Sequence, residues 1–239
     1  MAIDALTTGG IDVAVVRKSI KNLHIGVYPP DGHVRVAAPE QTPDSVIRAA
    51  VTSRLGWIRR QRRRFREQAR ESRREMVSGE SHWVLGRRYR MAVVEGPGRP
   101  GVRLQKTSVI ELHCAPGTSM EKRAALLDRW YRRQLAGVIA PLLDKWQPQL
   151  GVQAADWRIR KMRTKWASCS LTGRLWFNLE LAKKPPRTLE YIVVHELAHL
   201  IERQHGAEFQ AVLDRHYPGW RQARQELGAL PLGADTWAS

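Results

Sequence analysis

Apolar and polar residues alternate along the chain up to about residue 43, which is the pattern of half-buried β-strands. The apolar positions that recur at every second residue are Val13, Val15, Leu23, Ile25 and Val27. The prolines, aspartate and glycine at 29–32 predict a turn, and 33–37 then predicts a returning strand. We therefore expect a hairpin meander in this part of the chain.

The period changes to that of a helix after Pro43. Pro43 suits the first helical position, and either Thr42 or Asp44 is suited to capping the helix. Apolar residues recur at helical spacing at Val46, Ile47, Val51, Leu55 and Ile58. From residue 59 to 75 nine arginines accompany almost no apolar side chain, so the Arg-rich helix of about 44–75 should end in a solvated extension or a mobile arm. Its basic region, 59–74, is either a solvated charged face or a contact for nucleic acid.

Strand patterns continue to about residue 115, and helical patterns dominate from there on. Residues 79–94 predict a β-hairpin, and 102–104 and 109–112 predict short strands. A strong helical period then runs from 120 to about 146, with a kink or restart expected at Pro141. Since strands come first and helices later, we predict an α+β fold, with a β-rich part over 1–115 and a helical part over 116–239.

Composition places the chain among ordinary globular proteins. Its 239 residues allow one or two domains, and 43% are hydrophobic against 26% charged. We read neither a membrane-spanning stretch nor a signal peptide, and two cysteines are too few for a disulfide framework. A reduced, cytoplasmic setting without membrane contact is expected. The formal charge of +17 favours polyanionic partners. A GC-rich genome also raises the arginine content of its proteins, so the charge alone does not identify a partner.

The most informative motif is His195-Glu196-x-x-His199, which lies within an aliphatic helical pattern that begins near Pro186. On a helix, residues four apart project from nearly the same side, so these two imidazoles can bind one zinc ion. Glu196 lies beside that pair and can take a proton from a metal-activated water as general base. Two histidines and a glutamate are costly on a buried helical face without such a role.

A catalytic zinc site needs a third protein ligand and one open position. His205 is the leading candidate, but a continuing helix would turn it away from His195. The helix must therefore stop near Arg203 or Gln204, and Gly206 permits the break. The rival third ligands are Glu202, Asp214, His216 and Glu226.

Together with several other segments, the histidine motif resembles the YgjP-like metallopeptidase family, which is related to SprT-like and Wss1-like zinc proteases. The segments that carry the resemblance are Lys165-Trp166-Ala167-Ser168-Cys169, Phe177-Asn178-Leu179, the helix of 191–199, His205 to Phe209, and Pro218 with Trp220. Lys165 and Ala167 depart from the Arg-Trp-Gly-Ser-Cys pattern of the family, and Gln210 replaces a frequent tryptophan. The resemblance implies a zincin-like helical part with His195, His199 and His205 as zinc ligands and Glu196 as general base.

Other residues near these motifs are candidates for contact with substrate. The segments 166–169 and 175–178 predict strands beside the active-site helix, where an edge strand can receive a substrate peptide. Trp176, Asn178 and Tyr217 are the expected substrate-binding residues, while Tyr191 and Tyr217 are candidate oxyanion donors. Cys169 is either an inhibitory fourth zinc ligand or a small buried residue.

The sequence thus predicts a zinc metallopeptidase that acts on a protein or peptide substrate. Two alternatives stay open: a zinc-dependent hydrolase of a non-peptide substrate, and a DNA-associated protease that acts on DNA-bound proteins. The second alternative rests on the Arg-rich helix and on analogy with the Wss1-like relatives. A purely structural zinc is disfavoured because a closed site has no use for Glu196.

Overall fold

A computed structural model describes residues 3–28, 32–67, 74–162 and 165–229, and these residues form two compact units. The described residues up to 67 belong to the first unit, and those from 74 to 229 belong to the second. The architecture is mixed, with strands dominating the N-terminal part and helices the C-terminal part. Composition does change near residue 115, but the strands before it and the helix after it share one core.

The first unit is a four-stranded sheet followed by two helices. Its strands are β1 (Ile3–Thr8), β2 (Ile11–Lys18), β3 (His24–Tyr28) and β4 (His33–Pro39), in the order β1-β2-β4-β3. β3 and β4 form the expected hairpin, but β4 lies between β3 and β2 and pairs parallel with β2. The simple meander is therefore wrong, because alternation identifies a strand without specifying its neighbour.

The helical pattern after Pro43 forms two helices, α1 (Asp44–Ser53) and α2 (Leu55–Glu67), separated at Arg54. Pro43 occupies the N-cap and no side chain caps α1. Asp44 instead pairs with Arg17, whose guanidinium also donates to the carbonyl oxygen of Thr42. Ile47, Val51 and Ile58 are buried against the sheet in the core of this unit. Residues 68–73 of the predicted Arg-rich helix lie outside the described residues, and 74–75 are not helical.

The second unit begins with another four-stranded sheet, which packs on the longest described helix. Its strands are β5 (Ser81–Val84), β6 (Arg87–Glu95), β7 (Gly101–Gln105) and β8 (Val109–Cys114), in the order β5-β6-β8-β7. The predicted hairpin and short strands are thus confirmed. Helix α3 (Met120–Leu150) packs against β7 and β8 and runs without interruption through Pro141, where a kink or restart was expected.

The remaining elements assemble around the informative motif. Strands β9 (Asp156–Arg160), β10 (Ala167–Cys169) and β11 (Arg174–Asn178) form a sheet in the order β10-β11-β9, so β10 is an edge strand. A short 3-10 helix (Leu179–Lys183) leads into α4 (Pro186–Ala198), which is followed by α5 (Ala207–His216) and α6 (Trp220–Ala229). Helix α4 packs against α3, α5, α6 and β10.

A tight turn between β5 and β6 fixes the start of α4. The amides of Leu85 and Gly86 donate to the carbonyl oxygens of Ala182 and Lys183 at 2.9 and 3.1 Å. Gly86 has a φ of +80°, and a Cβ atom there would lie 3.0 Å from the Cα of Pro185. Only glycine allows this conformation and this close approach without strain.

Within the described ranges, no helix combines the length and apolar character needed to cross a membrane.

Candidate metal centre

Helix α4 carries the first two histidines at its C-terminal end. Its buried side chains, which include Leu189, Val193 and Leu197, fix the rotation of the helix in the core of the second unit. His195 lies in the last turn, and His199 is the C-cap residue. The helix therefore ends at Ala198, earlier than the expected stop near Arg203 or Gln204.

The chain after α4 reverses through two tight turns. The amides of Leu200 and Ile201 donate to the carbonyl oxygens of Leu197 and Ala198 at 2.9 and 3.0 Å. This early reversal returns the chain toward α4 before Gly206 begins α5. The third histidine is thus presented from a loop rather than from a helix.

The three histidines converge. One ring nitrogen from each of His195, His199 and His205 lies within 4.8 Å of the other two. The Nε2 atoms of His195 and His205 face each other at 3.1 Å. Phe209 of α5 packs against all three imidazoles, with ring centroids 4.7–5.0 Å away.

The rival ligands do not join this cluster, which among the described residues contains the three histidines alone. Asp214 accepts hydrogen bonds from Trp220 and Arg221. Glu226 pairs with Arg187, and the Glu202 carboxylate accepts from the amide of Gln204 at 2.7 Å.

Two contacts orient the rings of His195 and His199. The Nδ1 atom of His199 lies 3.1 Å from the carbonyl oxygen of Glu202, an acceptor that requires the proton on Nδ1 and leaves Nε2 free for a metal. The hydroxyl of Tyr191 lies 3.4 Å from Nδ1 of His195, on the ring nitrogen away from His205. Tyr191, a candidate oxyanion donor, therefore contacts the side of the His195 ring that faces away from His205.

Burial keeps the imidazoles of His195 and His199 in the form that binds metals. Burial, followed by the charges of His199, His205 and Arg224, lowers the pKa of His195 to about 3. Burial also lowers the pKa of His199. Both rings are therefore neutral at pH 7 and need not lose a proton to bind a metal.

Glu196 is the buried acid of the site. Its side chain is 4% exposed, and its Oε2 atom has no hydrogen-bond partner among the described residues. Burial raises the pKa of its carboxyl group to about 8, and the charge of Lys165 partly opposes this shift. A buried oxygen without a partner is costly unless a ligand or water satisfies it.

These side chains open onto a cleft of about 260 Å³. One wall is the edge strand β10 and the other is the end of α4 with the loop that follows. The lining residues are Lys165, Ala167, Ser168, Cys169, His195, Glu196, His199, Arg203 and His205. The arrangement can hold a metal ion through three imidazoles beside a carboxylate and an accessible space.

The three predicted substrate-binding residues are placed outside the lining of this cleft. Arg160 stacks over the ring of Trp176 at 4.3 Å, and the Tyr217 hydroxyl donates to the carbonyl oxygen of Arg187 at 3.5 Å. The Asn178 amide is buried in a structural network. It donates to the carbonyl oxygens of Met162 and Lys165 at 2.9 and 2.8 Å.

Cys169 does line the cleft, but it is not one of the clustered ligands. Burial, then the charge of Glu196, raises the pKa of its thiol, which favours the neutral form over a metal-binding thiolate. Sequence reasoning missed the roles of Lys165 and Arg203 in the cleft. The sequence does draw a distinction for Lys165, because it is the first residue of the Lys165-Trp166-Ala167-Ser168-Cys169 motif.

Comparison with known proteins completes this picture. The chain is similar to two solved metallopeptidase zymogens, abylysin of Pyrococcus abyssi and jannalysin of Methanocaldococcus jannaschii. The first is 26% identical over 36% of this chain and 86% of abylysin, with a TM-score of 0.33. The second is 23% identical over 37% of this chain and 92% of jannalysin, with a TM-score of 0.34. Scores this low do not establish a shared fold.

None of the curated proteins matches the chain. The model of the YgjP-like family, described as a metallopeptidase domain, matches residues 21–229. The chain therefore belongs to the YgjP-like metallopeptidase family, and it is a hydrolase of the metallopeptidase class.

Proposed function

We propose that the protein is a zinc-dependent peptidase with a zincin-like site, in which His195, His199 and His205 hold the metal. The observation that carries this proposal is the convergence of three imidazoles beside Glu196, a buried carboxylate with a partnerless oxygen. A structural zinc site would be closed by a fourth protein ligand, whereas this cluster opens onto a cleft.

Zinc suits this donor set better than the other common metals do. Imidazole nitrogens favour zinc, while magnesium and calcium prefer oxygen ligands. The backbone carbonyl behind His199 supplies the outer contact that fixes the ring of a zinc-binding histidine. When bound, zinc supplies a Lewis acid that polarises the peptide carbonyl and acidifies a water molecule.

Glu196 is the proton carrier in this proposal. Its carboxylate accepts a proton from the attacking water and then passes that proton to the amine that leaves. Burial alone keeps this carboxyl protonated at neutral pH, because its pKa is raised to about 8. The positive charge of a nearby metal opposes that effect and favours the ionised base.

The edge strand β10 supplies a way to position the substrate. An extended peptide can add to a free strand edge through main-chain hydrogen bonds, which aligns its carbonyl groups beside the histidine cluster. Ser168 and Cys169 of β10 line the same cleft as His195 and Glu196, so a peptide on this edge passes the metal ligands. This geometry favours a peptide over a compact non-peptide substrate.

Glu196→Gln tests the proposal. This variant should retain one zinc per chain and lose chelator-sensitive cleavage of casein by at least about 100-fold, the scale of general-base catalysis. Glu208→Gln is a matched control, since Glu208 is exposed at the start of α5 and does not line the cleft. Full activity of Glu196→Gln would remove Glu196 from the reaction.

A second candidate function is a protease recruited to nucleic acid. It is supported by the exposed side chains of Arg59, Arg60 and Arg63 on α2, in a chain of net charge +17. Binding of duplex DNA should then fall steeply between 50 and 200 mM salt, on the order of 10³-fold for several phosphate contacts. No binding at low salt would remove this candidate.

A further inference from the structure

Two cationic side chains flank the cleft beside the histidine cluster. Lys165 and Arg203, called here the cleft cations, both line it. Both side chains are exposed toward solvent, so a ligand can reach them. The charge of Lys165 acts on Glu196, and the charge of Arg203 acts on His199.

The lining of the cleft contains two exposed cations and one buried acid. Glu196 is the single acidic residue in its lining, and it is buried at the base of the site. In the described part of the chain, no carboxylate lies within 4.0 Å of the Lys165 ammonium or the Arg203 guanidinium. Glu202 is adjacent to Arg203 in the sequence, but its carboxylate accepts a hydrogen bond from the amide of Gln204. A bound metal would add further positive charge.

Contacts with the main chain hold the Arg203 guanidinium and the backbone of Lys165. The Arg203 guanidinium donates to the carbonyl oxygens of Ser170 and Leu171 at 3.0 and 3.1 Å. A guanidinium has five N–H donors, so these two bonds leave others for a ligand. The backbone of Lys165 is held by the buried amide of Asn178, which donates to its carbonyl oxygen. The Arg203 charge is therefore fixed beside the turn that follows β10, and the Lys165 side chain extends from a fixed backbone position.

The cleft cations lie at opposite ends of the edge strand. Lys165 precedes β10, which spans Ala167–Cys169, and Arg203 contacts the turn that follows β10. A peptide paired with β10 thus meets one cation near each end of the paired segment.

We propose that the cleft selects acidic protein segments, in which carboxylate side chains on either side of the scissile bond bind the cleft cations. This inference rests on the proposed function, because it uses the same edge strand and the same metal centre. Carboxylates suit an exposed ammonium and a guanidinium with free donors. A peptide is favoured over nucleic acid because its main chain also pairs with the strand edge between the two charges.

Direct binding to the zinc-loaded Glu196→Gln protein tests the proposal without cleavage. The probes are fluorescein-labelled ten-residue peptides with one common centre, which is flanked on each side by either an aspartate or an asparagine. The aspartate peptide should bind about tenfold more tightly, the sum expected for two partly exposed ion pairs. This preference should shrink in 500 mM NaCl, since salt screens exposed charges.

Variants of the cleft cations locate the preference. Lys165→Ala and Arg203→Gln should each lower the preference for aspartate about threefold, whereas Lys106→Ala and Arg99→Ala should not change it. Lys106 and Arg99 are exposed in the same unit and do not line the cleft. Lys165→Glu should instead favour a peptide with lysine at one position, and this reversal does not depend on the contacts of Arg203.

Equal binding of the aspartate and asparagine peptides would overturn the proposal. So would tighter binding of a single-stranded DNA of equal charge, which would assign the cleft cations to nucleic acid. Cleavage by the wild-type protein separates the two ideas. Metal-dependent cleavage of both peptides at equal rates contradicts the acidic preference and leaves the peptidase intact. A retained aspartate preference without any cleavage contradicts the peptidase alone.

Discussion

Replacing Glu196 with glutamine should stabilise the metal-free protein, and the gain should grow as the pH rises. Burial raises the pKa of Glu196 from its ordinary value of 4.5 to about 8 in the folded chain. Below pH 4.5 the carboxyl is protonated in both the folded and the unfolded chain, so its ionisation costs the fold nothing. As the pH rises from 4.5 toward 8, the unfolded chain ionises this group freely while the folded chain does not. The fold therefore loses stability across that window, and glutamine removes the loss.

The magnitude follows from the two pKa values. At pH 7 the unfolded carboxyl is ionised and the folded one is mostly protonated, which costs the fold about 3 kcal/mol. At pH 5 the same difference costs about 1 kcal/mol. Glutamine has nearly the same shape and carries no charge at either pH. The stabilisation by Glu196→Gln should consequently increase by about 2 kcal/mol between pH 5 and pH 7.

Urea denaturation followed by tryptophan fluorescence measures this difference. Both proteins are stripped of metal with a chelator, because a bound cation would favour the ionised carboxylate and remove the effect. Glu208→Gln is the matched control and should show no comparable dependence on pH, since that side chain is exposed. An equal stability difference at pH 5 and pH 7 would refute the reasoning about the buried carboxyl.

Substitutions at three further positions test how the site is supported. Gly86→Ala should lower the free energy of unfolding by about 2 kcal/mol, because it combines a positive φ with a close approach to α4; unchanged urea stability would contradict this role. Asn178→Ala should cost about 3 kcal/mol by leaving the main-chain carbonyl oxygens of Met162 and Lys165 without their amide donor. Asn178→Asp, which retains the acceptor and loses the donors, should cost a similar amount if those donors matter. Glu202→Ala should change zinc affinity less than about threefold, since His199 contacts its main-chain carbonyl and not its carboxylate; a loss as large as that of a ligand would restore Glu202 as a candidate ligand.

The sequence specified the helix of the site better than the path that follows it. The spacing of His195 and His199 places them together wherever an α-helix forms, because the helical repeat is fixed. The position of His205 instead depends on where the chain reverses. The helix ends at Ala198, where turn hydrogen bonds from the amides of Leu200 and Ile201 replace the helical pattern. The position of Gly206 indicated a later end, near Arg203 or Gln204.

Long-range pairing was the main feature that alternation did not predict. The strands around Val13 and Val34 were recognisable, but their parallel pairing with each other was not. Alternation records which face of a strand is buried, and it carries no information about which strand lies next to it.

Side-chain type was a poor guide to the lining of the cleft. Trp176 and Tyr217 have the aromatic character expected of substrate contacts. In the fold, however, Arg160 stacks over Trp176, and Tyr217 packs against Trp146 and donates to the carbonyl oxygen of Arg187. Lys165 and Arg203 are two of 40 basic residues, and their residue type does not distinguish them from the others. Their significance depends on the edge strand between them, which is a property of the tertiary structure.

The central claim is that three histidines bind one zinc ion, and its most direct test is elemental analysis of the purified protein. The wild-type chain, prepared without chelator, should contain one zinc per molecule. His205→Ala should lose zinc or bind it at least about 100-fold more weakly, because two imidazoles remain. The absence of stoichiometric zinc from the wild-type protein, or unchanged zinc binding by His205→Ala, would contradict the three-histidine site.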